Sequence, residues 1–112
     1  MPARQGADTH PEASERIIVR PPAGIEEAIP LFLESTREDL QALSRFLDGR
    51  DYSRIRFIGH DLKGSGGGYG FEPISTIGKS IEEAAKRLDR DEISRQIAVL
   101  TNYLDRVDVV LD

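Results

Sequence analysis

Apolar residues recur at helical spacing in four successive segments of the chain, and this pattern limits the fold more than any other feature. In the first segment they follow three- and four-residue steps from Ile25 to Leu47, as on one face of an amphipathic helix. Short turn signals, such as DGRD at residues 48–51 and DRDE at residues 89–92, separate the segments. Helices joined by short turns pack antiparallel to bury their apolar faces. The pattern therefore predicts an all-α, up-and-down antiparallel four-helix bundle.

Local signals set the expected ends of the first two helices. Pro30 lies either in the first turn of the first helix or between a short leading helix and the main one, because proline is tolerated only early in a helix. Gly49 is placed to end this helix. The second helix is expected to begin with Asp51 or Ser53 as its cap and to run through Tyr69.

The third and fourth helices carry the remaining apolar faces. The third is expected to begin near Glu72, with Pro73 in its first turn. The fourth is expected to be capped by Asp91 and to carry its apolar face as far as Leu111. The charged run at residues 80–92 is interpreted as a solvated helix surface. No strand is predicted.

The chain is long enough for one domain. At 112 residues a single core is feasible, and residues 24–112 are expected to form it. Residues 1–23 are expected to be a disordered or extended leader, since residues 1–15 mix Pro, Gly, Ala and charge without periodicity. His10 is interpreted as an ordinary residue of this leader. Residues 17–19 favour β-structure but have no evident partner strand, so we expect them to lie extended against the bundle.

Composition argues against several classes of function. Fifteen Lys and Arg residues against twenty Asp and Glu give a formal net charge of −5, without the basic surface that tracks nucleic acid. Cysteine is absent. No apolar run approaches the roughly 20 residues that span a bilayer, and no signal-like segment begins the chain. We therefore expect no nucleic-acid or membrane partner, and a cytoplasmic location.

One histidine stands out within the second predicted helix. At about 100° per residue, His60 falls roughly opposite the apolar face of this helix, which consists of Ile55, Ile58, Leu62, Ser65 and Tyr69. Lys63, Gly64 and Gly67 follow His60 at helical spacing and so share its face. The imidazole is therefore expected to be exposed, with a cation beside it and bare backbone at two of its three neighbours.

Five glycines lie close after this histidine: Gly64, Gly66, Gly67, Gly68 and Gly70. Inside a helix they would cost about 0.8–1 kcal/mol each relative to alanine, a large sum beside a total stability of about 5–15 kcal/mol. Either the helix stops at Lys63 or the missing side chains have a use. If the helix continues, the outer glycines leave a bare strip for a second protein, while Gly66 and Gly70 let neighbouring helices approach closely.

An exposed imidazole suits phosphoryl transfer. A reference pKa of about 6.5 leaves much of an imidazole neutral near pH 7, with one ring nitrogen able to act as a nucleophile. Lys63 is placed to hold phosphoryl oxygens. Ser65 is a weaker candidate for that role, because it points towards the apolar face, where bonding to the helix backbone or packing is as well supported.

Two phenylalanines fall nearer to His60 than to the core on the same projection. Phe57 either packs against the flank of another helix or is exposed, and Phe71 either lies beyond the helix end or is exposed. If exposed, they form an apolar rim for a partner.

The stretch HDLKGSGGGYGF, residues 60–71, resembles the motif H-x-L-K-G-S-x-x-x-x-G of the histidine phosphotransfer (HPt) family in bacterial multistep phosphorelays. The matching residues are His60, Leu62, Lys63, Gly64, Ser65 and Gly70. The likeness extends over about residues 29–111. The chain departs from the family in having glycine at residues 66–68 and Tyr69 in a usual leucine position.

This resemblance implies a four-helix-bundle phosphocarrier rather than an enzyme. His60 would accept a phosphoryl group from the aspartyl phosphate of a response-regulator receiver domain, such as that of a hybrid histidine kinase, and pass it to another receiver. Lys63 would help to hold the phosphoryl group, and Gly64 would permit close approach of the receiver. The family also keeps the helix continuous through the small residues. We expect a monomer without cofactor or metal, with Mg²⁺ bound on the partner receiver.

Three other functions share parts of this pattern. A helical adaptor would dock partners through the glycine strip, Phe57 and Phe71 without carrying phosphate. A metal-dependent phosphohydrolase would need more ligands than two histidines and no cysteine supply. A nucleotide-binding loop would follow a strand and place its lysine after the glycines, whereas Lys63 precedes them. We also expect no unaided autophosphorylation from ATP, because no ATP-binding domain is present.

Overall fold

The computed structural model describes residues 15–111, in which four α-helices form a bundle. The helices are α1 (Ile29–Asp48), α2 (Tyr52–Gly68), α3 (Glu72–Lys86) and α4 (Arg90–Arg106). Turns at residues 49–51, 69–71 and 87–89 join them, so neighbouring helices run antiparallel. The predicted helical bundle is confirmed. The first part of the leader, including His10, lies outside the described residues.

The turn between α1 and α2 follows the sequence prediction closely. Gly49 is the C-terminal cap of α1, and the Asp51 side chain caps α2 by accepting a hydrogen bond from the Arg54 amide at 3.2 Å. The left-handed residue of this turn is Arg50, with φ of 56°, rather than the glycine. The glycine therefore ends the helix without using its wider conformational range.

At the starts of α1 and α4 the structure adds to, or differs from, the sequence prediction. Pro30 lies in the first turn of α1, which was the first option for this proline. A short 3₁₀ helix (Glu26–Ala28) does precede α1, but it ends before Ile29, so Pro30 does not divide the two. The prediction that Asp91 caps the fourth helix is wrong. Asp89 is the cap, and its side chain accepts a hydrogen bond from the Glu92 amide at 3.1 Å. Asp91 lies instead in the first turn, where its negative charge suits the helix dipole.

A short parallel sheet joins the two ends of the described chain, which corrects the expectation of no strands. β1 (Ile17–Val19) pairs with β2 (Val107–Val109). As a result α4 ends at Arg106, and the predicted extension of its apolar face to Leu111 is wrong. The segment Ile17–Val19 is extended, as expected, but it does have a partner strand. Three-residue strands carry too little pattern to be separated from helix or coil, and here the partner lies at the other end of the chain.

Apolar side chains from all four helices, from β2 and from the turn after α2 form one core. Its fully enclosed large members are Leu43, Ile55, Leu62, Phe71, Ile74, Ile81, Ile93, Leu100 and Leu104. Phe71 is among them because Gly70, at φ of 89°, turns the chain back towards the bundle. The Phe71 ring lies 5.4 Å from that of Phe32, on which Tyr69 also stacks at 4.4 Å. Of the two options for Phe71, the position beyond the end of α2 is correct, and the exposed rim is wrong.

Glycines bring α2 and α3 into backbone contact. A Cβ atom added at Gly59 would lie 2.7 Å from the Glu82 nitrogen, and one at Gly66 would lie 2.5 Å from the Ser75 nitrogen. From the other side, a Cβ at Gly78 would lie 2.5 Å from the Lys63 nitrogen. Because α2 continues to Gly68, the option that the helix stops at Lys63 is wrong. Part of the glycine cluster serves helix packing, as expected for Gly66, whereas Gly70 lies in the turn after α2.

We predict opposite effects of alanine at two helical glycines. Gly78→Ala should lower the free energy of unfolding by about 2–4 kcal/mol, because its new methyl group meets backbone that cannot move aside. Gly64→Ala should raise it by about 0.5–1 kcal/mol, since no atom lies within 4 Å of the added Cβ and alanine favours the helix. Urea denaturation of both variants tests this. Equal effects at the two positions would contradict close packing at Gly78.

Candidate functional site

The ring of His60 stands on the outer surface of α2. Its side chain is 63% exposed, and the helix continues for two turns beyond it, to Gly68. The buried side chains of this helix, such as Ile55, Ile58 and Leu62, lie on the opposite side. The sequence prediction of an exposed imidazole on an unbroken helix is therefore confirmed.

A buried carboxylate from α3 lies beneath the ring. Glu82 is only 8% exposed, and its Oε2 atom lies 3.0 Å from Nδ1 of His60. Its Oε1 atom lies 2.9 Å from Nζ of Lys63, an ion pair that lacks the alignment of a directed hydrogen bond. Glu82 follows Gly78 by one helical turn, so the close packing of α3 on α2 carries the carboxylate to the site. Three side chains from two helices thus form one cluster.

Electrostatics keep Glu82 ionised. The Lys63 ammonium is the main cause that holds the pKa of Glu82 below its usual value; burial opposes it, and the hydrogen bond with His60 adds to the lowering. An ionised carboxylate can only accept hydrogen bonds, so Nδ1 of His60 must donate to it. In the neutral ring the lone pair is then on Nε2. The cluster selects one nitrogen of His60 as the nucleophile.

The outer glycines leave the surface next to His60 bare. A Cβ added at Gly64 would meet no atom within 4 Å, while one at Gly67 would lie 3.1 Å from the end of the flexible Glu72 side chain. Phe57, which is 72% exposed, borders the ring on its other side. A second protein can therefore bring its own backbone close to the imidazole.

Ser65 does not join this cluster. Its hydroxyl donates to the Asp61 carbonyl at 2.9 Å, which is the backbone bonding considered from the sequence. A different serine supports the site: the Ser75 hydroxyl donates to the Lys63 carbonyl at 2.6 Å and so ties α3 to α2.

The comparison with known families agrees with this geometry. Residues 27–109 match the model of the Hpt domain. The chain belongs to the Hpt domain family. Hpt domains act in histidine phosphotransfer and interact with receiver domains of two-component systems. Searches among curated proteins and among solved structures found no significant match.

Two other kinds of feature are absent from the part of this Hpt domain that the structure describes. Within residues 15–111, no helix is long and apolar enough to cross a membrane. In the same range, no group of three or more His, Asp or Glu side chains is arranged to hold a metal ion.

Sequence reasoning missed Glu82, because the run that contains it was interpreted as solvated. That interpretation is wrong at this residue. Glu82 lies next to Ile81 and one turn before Lys86 on α3, and one turn after Gly78. A glycine one turn before a carboxylate, on a helix edge that borders the apolar face, is the signal that would have marked it.

A cleft between α1 and α2 holds a second perturbed carboxyl group. Asp39 and Asp61 face this cleft together with Thr36, Ser65 and Tyr69. Burial, followed by the charges of Asp61 and Glu38, raises the pKa of Asp39 from 3.8 to about 6. The charge in this cleft therefore changes near pH 6.

Removal of the Glu82 carboxylate should release the ring of His60. In Glu82→Ala the ratio of Nδ1–H to Nε2–H tautomers should fall about tenfold or more. A change of this size corresponds to the loss of one hydrogen bond to a charged group. Glu82→Gln should retain much of the preference, because its carbonyl oxygen can still accept from Nδ1. Long-range ¹H–¹⁵N NMR spectra of His60 at pH 8 report the tautomers. Wild-type proportions in Glu82→Ala would contradict this role.

Replacement of Asp39 should stabilise the fold in a pH-dependent way. The folded state binds this proton more tightly than the unfolded chain, so ionised Asp39 destabilises the fold fully above about pH 6, and the cost vanishes as pH falls towards 3.8. Asp39→Asn should therefore gain about 1 kcal/mol at pH 8, a figure discounted for partial exposure, and nothing at pH 4. Urea denaturation at both pH values measures this. A gain that is independent of pH would contradict the assignment.

Proposed function

We propose that this Hpt domain is a phosphoryl carrier in a bacterial two-component phosphorelay. His60 accepts a phosphoryl group from the aspartyl phosphate of a receiver domain, including that of a hybrid histidine kinase, and passes it to another receiver. The observation that carries the proposal is the exposed imidazole whose Nδ1 is held by a buried, ionised Glu82.

The proposed step needs no proton transfer. Nε2 of His60 attacks phosphorus, the nitrogen–phosphorus bond forms, and the bond to the aspartyl oxygen breaks, so that the aspartate leaves with the electron pair. Nδ1 keeps its proton, and Glu82 faces the positive charge that develops on the ring. The return step is the same reaction in reverse. Phosphoryl transfer depends mainly on positioning and charge stabilisation, and Lys63 supplies a cation at the site.

The receiver supplies the rest of the machinery in this proposal. Mg²⁺ binds to the receiver, next to its aspartate, and the Hpt domain acts as a monomer that is not itself an enzyme. The bare surface at Gly64 admits the receiver. Two exposed apolar side chains, Phe57 beside His60 and Leu31 across the cleft from Asp61, are placed to contact it on either side. We place this exchange in the cytoplasm.

The alternative of a helical adaptor without phosphate is less well supported. It uses the glycine strip, Phe57 and Phe71 for docking, and Phe71 is wholly buried. It also gives no reason for a buried carboxylate that fixes the orientation of an exposed ring.

The first test of the proposal is phosphate labelling. Incubation with a phosphorylated receiver should give the wild-type chain an acid-labile, base-stable label, and His60→Gln should take up none. The variant should still bind the receiver, which pull-down measures separately. A wild-type chain that binds receivers of a broad panel but never becomes labelled would support the adaptor instead.

A second test varies side-chain size at Gly64. Gly64→Ala should transfer phosphate nearly as well as the wild type, while Gly64→Leu should be slower by about a hundredfold or more, because a bulky side chain displaces the reacting groups. Both variants should keep the helical circular dichroism signal, since the site is open. Rapid transfer by a folded Gly64→Leu variant would show that access at this position does not matter.

A further inference from the structure

A cavity of about 370 Å³ lies beside His60, next to the preceding turns of α2. Its lining consists of Ser53, Arg56, Phe57, His60 and Glu82. No described atom fills this space, so a group attached to the ring has room to extend into it. The cavity lies on the N-terminal side of His60, whereas Lys63 and the bare glycines lie on the C-terminal side.

The charge at the known cluster is already balanced. The Lys63 ammonium lies 2.9 Å from Glu82, so its positive charge is largely committed to that carboxylate. A phosphoryl group brings about 1.5–2 negative charges at pH 7, and the positive charge that develops on the ring offsets about one of them. This ring charge also faces Glu82, which contacts Nδ1. Because Lys63 is shared with Glu82, part of the phosphoryl charge is left without a cation of its own.

Arg56 is a cation next to the ring that can correct this imbalance. It precedes His60 by four residues, so the two side chains are neighbours on the helix surface, and both line the cavity. Within residues 15–111, Arg56 makes no hydrogen bond or ion pair. Arg54, by contrast, pairs with Asp51 at 3.1 Å and lies over the ring of Phe46.

We infer that Arg56 is a second cationic ligand of the phosphoryl group on His60. This inference rests on the proposed function. The planar guanidinium has several donors that match phosphoryl oxygens, and it needs to give up no partner within the described chain to bind them. Arg56 exchanges no proton and forms no covalent bond; it stabilises the phosphorylated state. Glu82, paired with Lys63, then orients the ring, while Arg56 supplies the additional positive charge.

The test uses the isolated phosphoprotein, so that contacts with a receiver do not contribute. Phosphoramidate, a small donor, loads His60, and ³¹P NMR follows the titration of the bound phosphoryl group with pH. In Arg56→Gln the midpoint should rise by about one pH unit, because the nearby cation that favours the dianion is lost. Arg56→Lys should reverse part of this shift.

A separate measurement adds a receiver. The equilibrium between the phosphorylated Hpt domain and the phosphorylated receiver should move about tenfold towards the receiver in Arg56→Gln.

Arg54→Gln is the matched control, since it removes the same charge from the same helix. It should titrate like the wild type. If Arg56→Gln also titrates like the wild type while the wild type is loaded normally, the inference is overturned and the proposed function stands. If Arg56→Gln changes only the transfer rate with a receiver, Arg56 contacts the partner rather than the phosphoryl group, and the inference is again wrong. A wild type that no donor loads would overturn both.

Discussion

Backbone contact between α2 and α3 is the constraint on which the site depends. Gly59 and Gly78 remove the side chains that would hold the two helices apart, and a Cβ at either would lie under 3 Å from the backbone of the other helix. At this distance, a residue one turn after Gly78 reaches the edge of α2 that carries His60. Glu82 is that residue, and its carboxylate therefore meets the ring of His60. A wider helix spacing would leave His60 as an ordinary exposed histidine.

Glu82 sets the chemistry of the cluster through charge. It accepts from Nδ1 of His60 and pairs with Lys63, so one buried carboxylate orients the nucleophile and engages the nearest cation. The first effect makes Nε2 available without any change of protonation during transfer. The second means that Lys63 is shared between Glu82 and any phosphoryl group on the ring, which is why Arg56, without a partner within residues 15–111, matters in the proposed carrier.

The sequence predicted the parts of this molecule that depend on local pattern. Four apolar faces gave the helices, turn residues gave most of their ends, and the position of His60 opposite Ile55 and Leu62 gave its exposure. Features that depend on distant contacts were missed. The β1–β2 pair joins opposite ends of the chain, Phe71 is buried by a turn at Gly70, and Glu82 is charged but packed against another helix. A helical projection of α2 alone contains none of these contacts.

The most direct test of this account is the position of the phosphoryl group on the ring of His60. Protein labelled with ¹⁵N-histidine and loaded with phosphoramidate would be studied by ¹H, ¹⁵N and ³¹P NMR, which distinguish the two ring nitrogens. The account predicts that phosphorus is bonded to Nε2 and that Nδ1 retains its proton. Phosphorus on Nδ1, the nitrogen that Glu82 occupies, would contradict it.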